Sequence, residues 1–133
     1  MVQSGFESVL RLDDLYFDTI RFTCGGVRNK SQLSLSFRSE ISKHVSEESY
    51  RVRLIAEGKK EDEYEFEIGL IGIFSFDSDS SIDEKTRGDL ISKNAISILM
   101  PFLRSEITLL TSQPGMSSIV LPPFDITRMF EQQ

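Results

Sequence analysis

Ile98-Leu99-Met100-Pro101-Phe102-Leu103-Arg104-Ser105-Glu106-Ile107, followed beyond a Gln113-Pro114-Gly115 turn by Leu121-Pro122-Pro123-Phe124-Asp125-Ile126-Thr127-Arg128-Met129-Phe130, decides the fold. The first run repeats apolar residues at helical spacing and predicts a long helix. It begins near Asp89 or Ser92, either of which can cap it by accepting a bond from a free backbone N–H. Asn94, Ser97, Pro101, Arg104, Ser105 and Thr108 fall at three- and four-residue steps, one narrow polar stripe. Most other positions are apolar, whereas a surface helix normally keeps a broad polar side. The expectation is that one small sheet cannot cover this helix and that a second subunit does, through Ile96, Leu99, Leu103, Ile107 and Leu110. A plain core helix inside a monomer stays open as the alternative. Pro101 removes a backbone bond and is expected to kink the helix. Beyond the turn, a short strand-like run leads to a second amphipathic piece opening at Asp125, a short C-terminal helix.

Upstream, the pattern changes to period two. Val9 to Leu12 and Tyr16 to Cys24 read as strand, with an irregularity expected at Asp13-Asp14, and Gly25-Gly26 ends them. Leu33, Leu35, Phe37 and Ile41 alternate with Ser34, Ser36, Arg38 and Ser42, the mark of a half-buried strand. Tyr50, Val52, Leu54 and Ala56 share a face of the next strand. Gly58-Lys59-Lys60-Glu61 is expected as the hairpin turn, which would place Arg53 near Glu67. The return strand shows Tyr64, Phe66, Ile68 and Leu70 on one side, and Glu61, Glu63, Glu65 and Glu67 on the other. From Ile68 to Phe76 polarity nearly vanishes, so both faces of that end are expected to be covered. Four strands followed by helix is an α+β order: a four-stranded antiparallel sheet, a long kinked helix and a short C-terminal helix.

The 133 residues suit one domain, 1–133, and 39% hydrophobic with 27% charged residues is a globular composition. A formal charge of −6 disfavours nucleic-acid backbones and anionic membranes as partners. One cysteine, Cys24, cannot form an internal disulfide, and residues 1–30 lack a basic stretch followed by an apolar one. No run approaches a membrane span, so a cytoplasmic location is expected.

No catalytic pattern emerges. His44, the sole histidine, reads as a solvated residue near a strand end, far in sequence from Cys24; a Cys–His nucleophile needs contact and an orienting third group. Gly69-Leu70-Ile71-Gly72 lies inside an apolar strand with no following lysine, unlike a phosphate loop. Asp77-Ser78-Asp79-Ser80-Ser81 opens like a calcium loop, but Ile82 stands where glycine is required and Gly88 where a bidentate Glu belongs. The expectation is no enzyme, no metal and no cofactor.

The order of the two quoted runs resembles the C-terminal half of SecB, the bacterial export chaperone, with Leu15-Tyr16 and Gly72-Ile73-Phe74-Ser75 similar to its first strand and the end of its fourth. The resemblance spans roughly Val9 to Phe130. It implies homo-oligomers, edge-to-edge dimers paired into tetramers, that bind unfolded or partly folded polypeptides without ATP in protein export. It implies a client groove formed by Leu33, Leu35, Phe37 and Ile41 with Phe124, Met129 and Phe130. Alternation alone favours plain core for these residues; the resemblance favours the groove. Glu63, Glu65 and Glu67 fall where the family presents an acidic face to the export motor ATPase, although an ordinary ion-paired sheet face is equally compatible. Thr19 and Thr23 stand where the family has acidic residues of that face, and Glu131-Gln132-Gln133 after Phe130 does not resemble the family's acidic tail, so that tail is expected to be lacking. Two other uses therefore remain: a chaperone dedicated to one client, such as the antitoxin of a toxin–antitoxin pair, or a small-molecule carrier.

Overall fold

The computed structural model describes residues 10–44, 49–76 and 83–121. Four strands, β1 (Leu10–Cys24), β2 (Leu33–His44), β3 (Ser49–Lys60) and β4 (Tyr64–Phe76), form one antiparallel sheet in the order β1-β4-β3-β2. A helical stretch follows: α1 (Glu84–Leu90), a π-helical turn (Ile91–Ala95) and α2 (Ile96–Thr111). The expected C-terminal helix, its residues Phe124, Met129 and Phe130, and the calcium-like stretch 77–81 lie outside the described residues.

Alternation places Val52, Leu54 and Ala56 of β3 opposite Gly72, Leu70 and Ile68 of β4, all on the helix side. This face carries the core. β4 lies inside the sheet, and its other face buries Ile71 beside Ile55 of β3, as the loss of polarity there predicts. Arg53 helps to close that outer face. Its guanidinium reaches Asp18 at 2.9 Å, Thr19 at 3.2 Å and Glu40 at 3.6 Å, spanning the sheet from β1 to β2. Gly69 makes this possible: a Cβ there would stand 2.5 Å from Asp18 Oδ1 and 2.8 Å from an Arg53 nitrogen.

Several local expectations need correction. β1 is one strand with register shifts at Asp13 and Asp18; the first was expected and the second was not. The β3–β4 turn is Glu61-Asp62-Glu63, with Lys60 opposite Tyr64, so it lies later than Gly58–Glu61. Asp62 takes φ 62°, a left-handed conformation that Asp tolerates better than most residues. Consequently Arg53 faces Ile71, and Glu67 faces Glu57.

The helical stretch starts earlier than Asp89. The Asp83 carboxylate accepts from the Thr86 N–H at 2.8 Å and caps α1, which buries none of its residues. Apolar spacing starts only at Ile91, so periodicity could not reveal this turn. Ile91, Ala95, Ile96, Leu99, Met100, Leu103 and Ile107 all bury against the sheet. Pro101 lies inside α2 on its exposed side, and the departure from α-helical bonding lies upstream, in the π turn.

The interface expectation changes with this packing. Ile96, Leu99, Leu103 and Ile107 are core of the single chain, and Leu110 is half-buried. One sheet covers more of the helix than the pattern suggested. The apolar residues it leaves uncovered are Phe102, 46% exposed, and Leu109, 62% exposed.

Candidate functional site

On the helix side of the sheet, three cross-strand rows occupy the end where β2 begins. They read Cys24–Tyr64–Lys60–Leu33, Phe22–Phe66–Gly58–Leu35 and Ile20–Ile68–Ala56–Phe37, from edge strand β1 to edge strand β2. Small Gly58 and Ala56 on β3 separate the β2 side chains from the larger ones on β4. The Phe66 ring fills the space over Gly58 and stacks on Phe22 with centroids 6.0 Å apart; Phe22 also stacks on Tyr64 at 5.5 Å. Leu33 and Leu35 are half-buried and Phe37 is buried. Ile41, 42% exposed, lies farther along the same face, opposite Val52. The structure thus places Leu33, Leu35 and Phe37 together on an apolar surface that also holds Phe22 and Ile20. Those two were not anticipated as site residues, because only the bulge at Asp18 sets which side of β1 they occupy.

A polar knot closes this end. The crossover 25–32 joins β1 to β2, and the segment 112–121 leaves α2; both meet the β3–β4 turn at Glu63. Its carboxylate accepts from Lys60 Nζ at 2.9 Å, Asn29 N–H at 3.1 Å, Ser117 N–H at 2.6 Å and the Ser117 hydroxyl at 3.1 Å. Lys60 also donates to the Asn29 carbonyl and side-chain oxygens, and Tyr64 donates its hydroxyl hydrogen to Ser117 O. Burial pushes the Glu63 pKa up, but the Lys60 ammonium and the Ser117 and Asn29 donors more than reverse this and hold it at about 2. Glu63 is 1% exposed. It therefore does not join the exposed acidic row in which it was expected.

Gly26 is needed where the crossover meets the turn. A Cβ there would stand 2.0 Å from Asp62 O, a backbone atom that cannot swing aside. Gly26→Ala is expected to destabilise by about 1–3 kcal/mol, as overpacking does. Gly25→Ala, with nothing within 4 Å of the added carbon, should stay within about 0.5 kcal/mol. Urea unfolding of both variants checks this.

The other face of the sheet holds Glu65 and Glu67 but is not an unbroken acidic field. Glu67 pairs with Arg21 at 3.0 Å, Glu57 with Arg38, and Asp18 with Arg53. A depression of about 500 Å³ lies there, bordered by Arg21, Thr23, Ser34, Ser36, Lys59 and Glu65.

Cys24 ends β1 at the end of the sheet where β2 begins, whereas His44 ends β2 at the opposite end. At about 3.3 Å per strand residue they are on the order of 30 Å apart, so they form no nucleophile pair. Among the described residues, no group of three or more His, Cys, Asp or Glu could hold a metal ion, and no helix is long and apolar enough to cross a membrane.

Comparisons with known proteins agree with this architecture. The family model for preprotein translocase subunit SecB matches residues 12–133. A protein-export protein SecB of Anaplasma phagocytophilum (strain HZ) is 34% identical over 67 residues, which are 50% of this chain and 42% of that protein. The aligned region thus spans about two fifths of that relative. A solved structure of a SecB-like chaperone from Mycobacterium tuberculosis, in complex with a ChAD peptide from an antitoxin, superposes with a TM-score of 0.75 at 11% identity, covering 89% of this chain and 92% of that one. A Streptococcus agalactiae protein of unknown function gives a TM-score of 0.51 at 6% identity, covering 86% and 97%. At these identities the two structures speak to the fold.

Proposed function

This chain belongs to the SecB family, and from that premise we propose that it is a nucleotide-independent chaperone that holds unfolded or partly folded polypeptides, in the cytoplasm, for export. The observation that carries this reading is the apolar surface running from Phe22 to Leu35 beside the open edge of β2. An unfolded client offers what such a place takes: apolar side chains for the surface and unpaired backbone groups for a strand edge. Repeated burial at about 25 cal/mol per Å² supplies affinity without demanding one sequence, offset by the cost of ordering the client. Leu33, Leu35, Phe37 and Ile41 are the client residues in this reading, joined by Phe22 and Ile20. The working form is a homo-oligomer, a tetramer built as a dimer of dimers, with Phe102 and Leu109 supplying apolar contact area that the chain leaves uncovered.

The expected result is suppression of aggregation when a denatured protein is diluted from guanidinium with equimolar chaperone and no nucleotide, followed by light scattering. No suppression at several-fold excess would overturn the reading and favour the small-molecule carrier.

A second reading, a chaperone for one dedicated client, is favoured by the ion pairing on the outer face. Arg21, Arg38 and Arg53 engage Glu67, Glu57 and Asp18, leaving less unpaired acidic charge for a motor ATPase to read. If that face nevertheless docks the motor, Glu65→Lys with Glu67→Lys should abolish binding by titration calorimetry while Tm barely moves, since exposed pairs contribute only about 0–1 kcal/mol. Absence of wild-type binding at low salt would favour the dedicated-client reading.

A further inference from the structure

A turn of three residues needs no buried carboxylate, yet Glu63 is buried with four donors on its two oxygens. Three of those donors come from segments outside the sheet: Asn29 on the crossover and Ser117, twice, after α2. Beyond the knot each segment continues into apolar residues packed on the core. The crossover runs into Leu33, and the segment after α2 runs through Ile119, whose N–H bonds Thr111 Oγ1 at 2.9 Å and whose carbonyl accepts from Thr108 Oγ1 at 2.7 Å. Each also displays a valine with no cover, Val27 at 79% and Val120 at 78% exposed.

We propose that Glu63 is a positioning residue for client binding: its hydrogen bonds hold the crossover and the segment after α2 against the end of the sheet that carries the Leu33–Phe37 row, so that an extended, unfolded polypeptide meets an ordered apolar surface there. This rests on the chaperone reading above. Without the carboxylate, Asn29 and Ser117 lose their shared acceptor and Lys60 loses its counter-charge. The sheet ladder, made by backbone bonds, remains. A client would then have to order two loose segments on binding, which lowers affinity without removing any side chain that touches it.

The test compares wild type with Glu63→Gln and with Ser117→Pro, which removes both donors that Ser117 gives to Glu63, and uses Glu67→Gln as a control on the outer face. Kd is measured by fluorescence anisotropy for labelled, reduced and carboxymethylated α-lactalbumin, a permanently unfolded chain. Hydrogen exchange is followed at the Asn29 and Ser117 amides. Glu63→Gln is expected to raise Kd at least tenfold and to speed exchange at both amides, with strand amides of β3 and β4 still protected. Ser117→Pro should raise Kd about threefold, and Glu67→Gln should leave it unchanged. Faster exchange at both amides with wild-type Kd overturns the proposal while leaving the chaperone reading intact. If Glu63→Gln does not fold, Ser117→Pro decides: an unchanged Kd overturns the proposal. Failure of wild type to bind the probe removes the chaperone reading, and the proposal with it.

Discussion

Leu103→Asp is expected to leave no cooperatively folded protein, whereas Leu109→Asp keeps the fold and lowers the mass of the assembly. Both residues are leucines of α2, six positions apart, and the sequence pattern assigned Leu103, not Leu109, to the contact between subunits. Leu103 has no exposed surface and lies in the core; Leu109 is 62% exposed. Truncating a buried leucine to alanine already costs about 2–5 kcal/mol. An aspartate at position 103 adds either a desolvated charge or a carboxyl forced to protonate. Against a typical total stability of about 5–15 kcal/mol, that loss is enough to unfold the chain. At position 109 the carboxylate keeps its water, so the monomer should melt within a few degrees of wild type. Placing a charge on an apolar contact between subunits would then split the assembly. Circular dichroism melting and size exclusion with light scattering separate the two effects. A folded Leu103→Asp protein of wild-type Tm would refute the packing of α2. A Leu109→Asp assembly of unchanged mass, or a wild type that runs as a 15.2 kDa monomer, would refute the surface role of Leu109.

The same pair shows where reading a sequence runs out. Alternation in β2, β3 and β4 identified the core face correctly, because a strand side chain has only two directions and one of them meets the helix. The long helix was equally legible from its apolar spacing. How much of its circumference one sheet can cover was not, because Ile98 and Leu110 lie partly packed on the flanks of the stripe. The β3–β4 turn was misplaced for a related reason. Gly58 looked like the break in a polar run, yet it remains in the strand because the Phe66 ring occupies its side-chain space. The partners that bury Glu63 lie 34 and 54 residues away, too distant for any local pattern to signal. Glu63 consequently read as one more member of an exposed acidic row. Of the candidate site, the β2 half was visible by alternation. The β1 half depended on a one-residue bulge at Asp18, which reverses every later side chain of that strand.

Acid should expose the Glu63 knot directly. In the fold its carboxyl is held at about 2, against an ordinary value of 4.5. Because the folded pKa is the lower one, the stabilisation is complete above about 4.5 and is lost as pH falls towards 2. Asp83 and Glu84 are also lowered, by bonds from Thr86 and Lys43 respectively, so wild type alone would not isolate one group. The comparison with Glu63→Gln does. At pH 7 the variant should melt well below wild type, because an amide cannot replace the charge that Lys60 faces in a buried place. From pH 7 to 5 the gap should stay constant. Below that it should narrow, as wild type loses what the variant never had. Lys60→Met should show the same narrowing from the other partner, since a neutral Glu63 no longer needs the ammonium. Melting curves between pH 7 and pH 2 for the three proteins supply the measurement. A gap that stays constant down to pH 2 would mean that folding does not lower the Glu63 pKa, and its four donors would need another explanation.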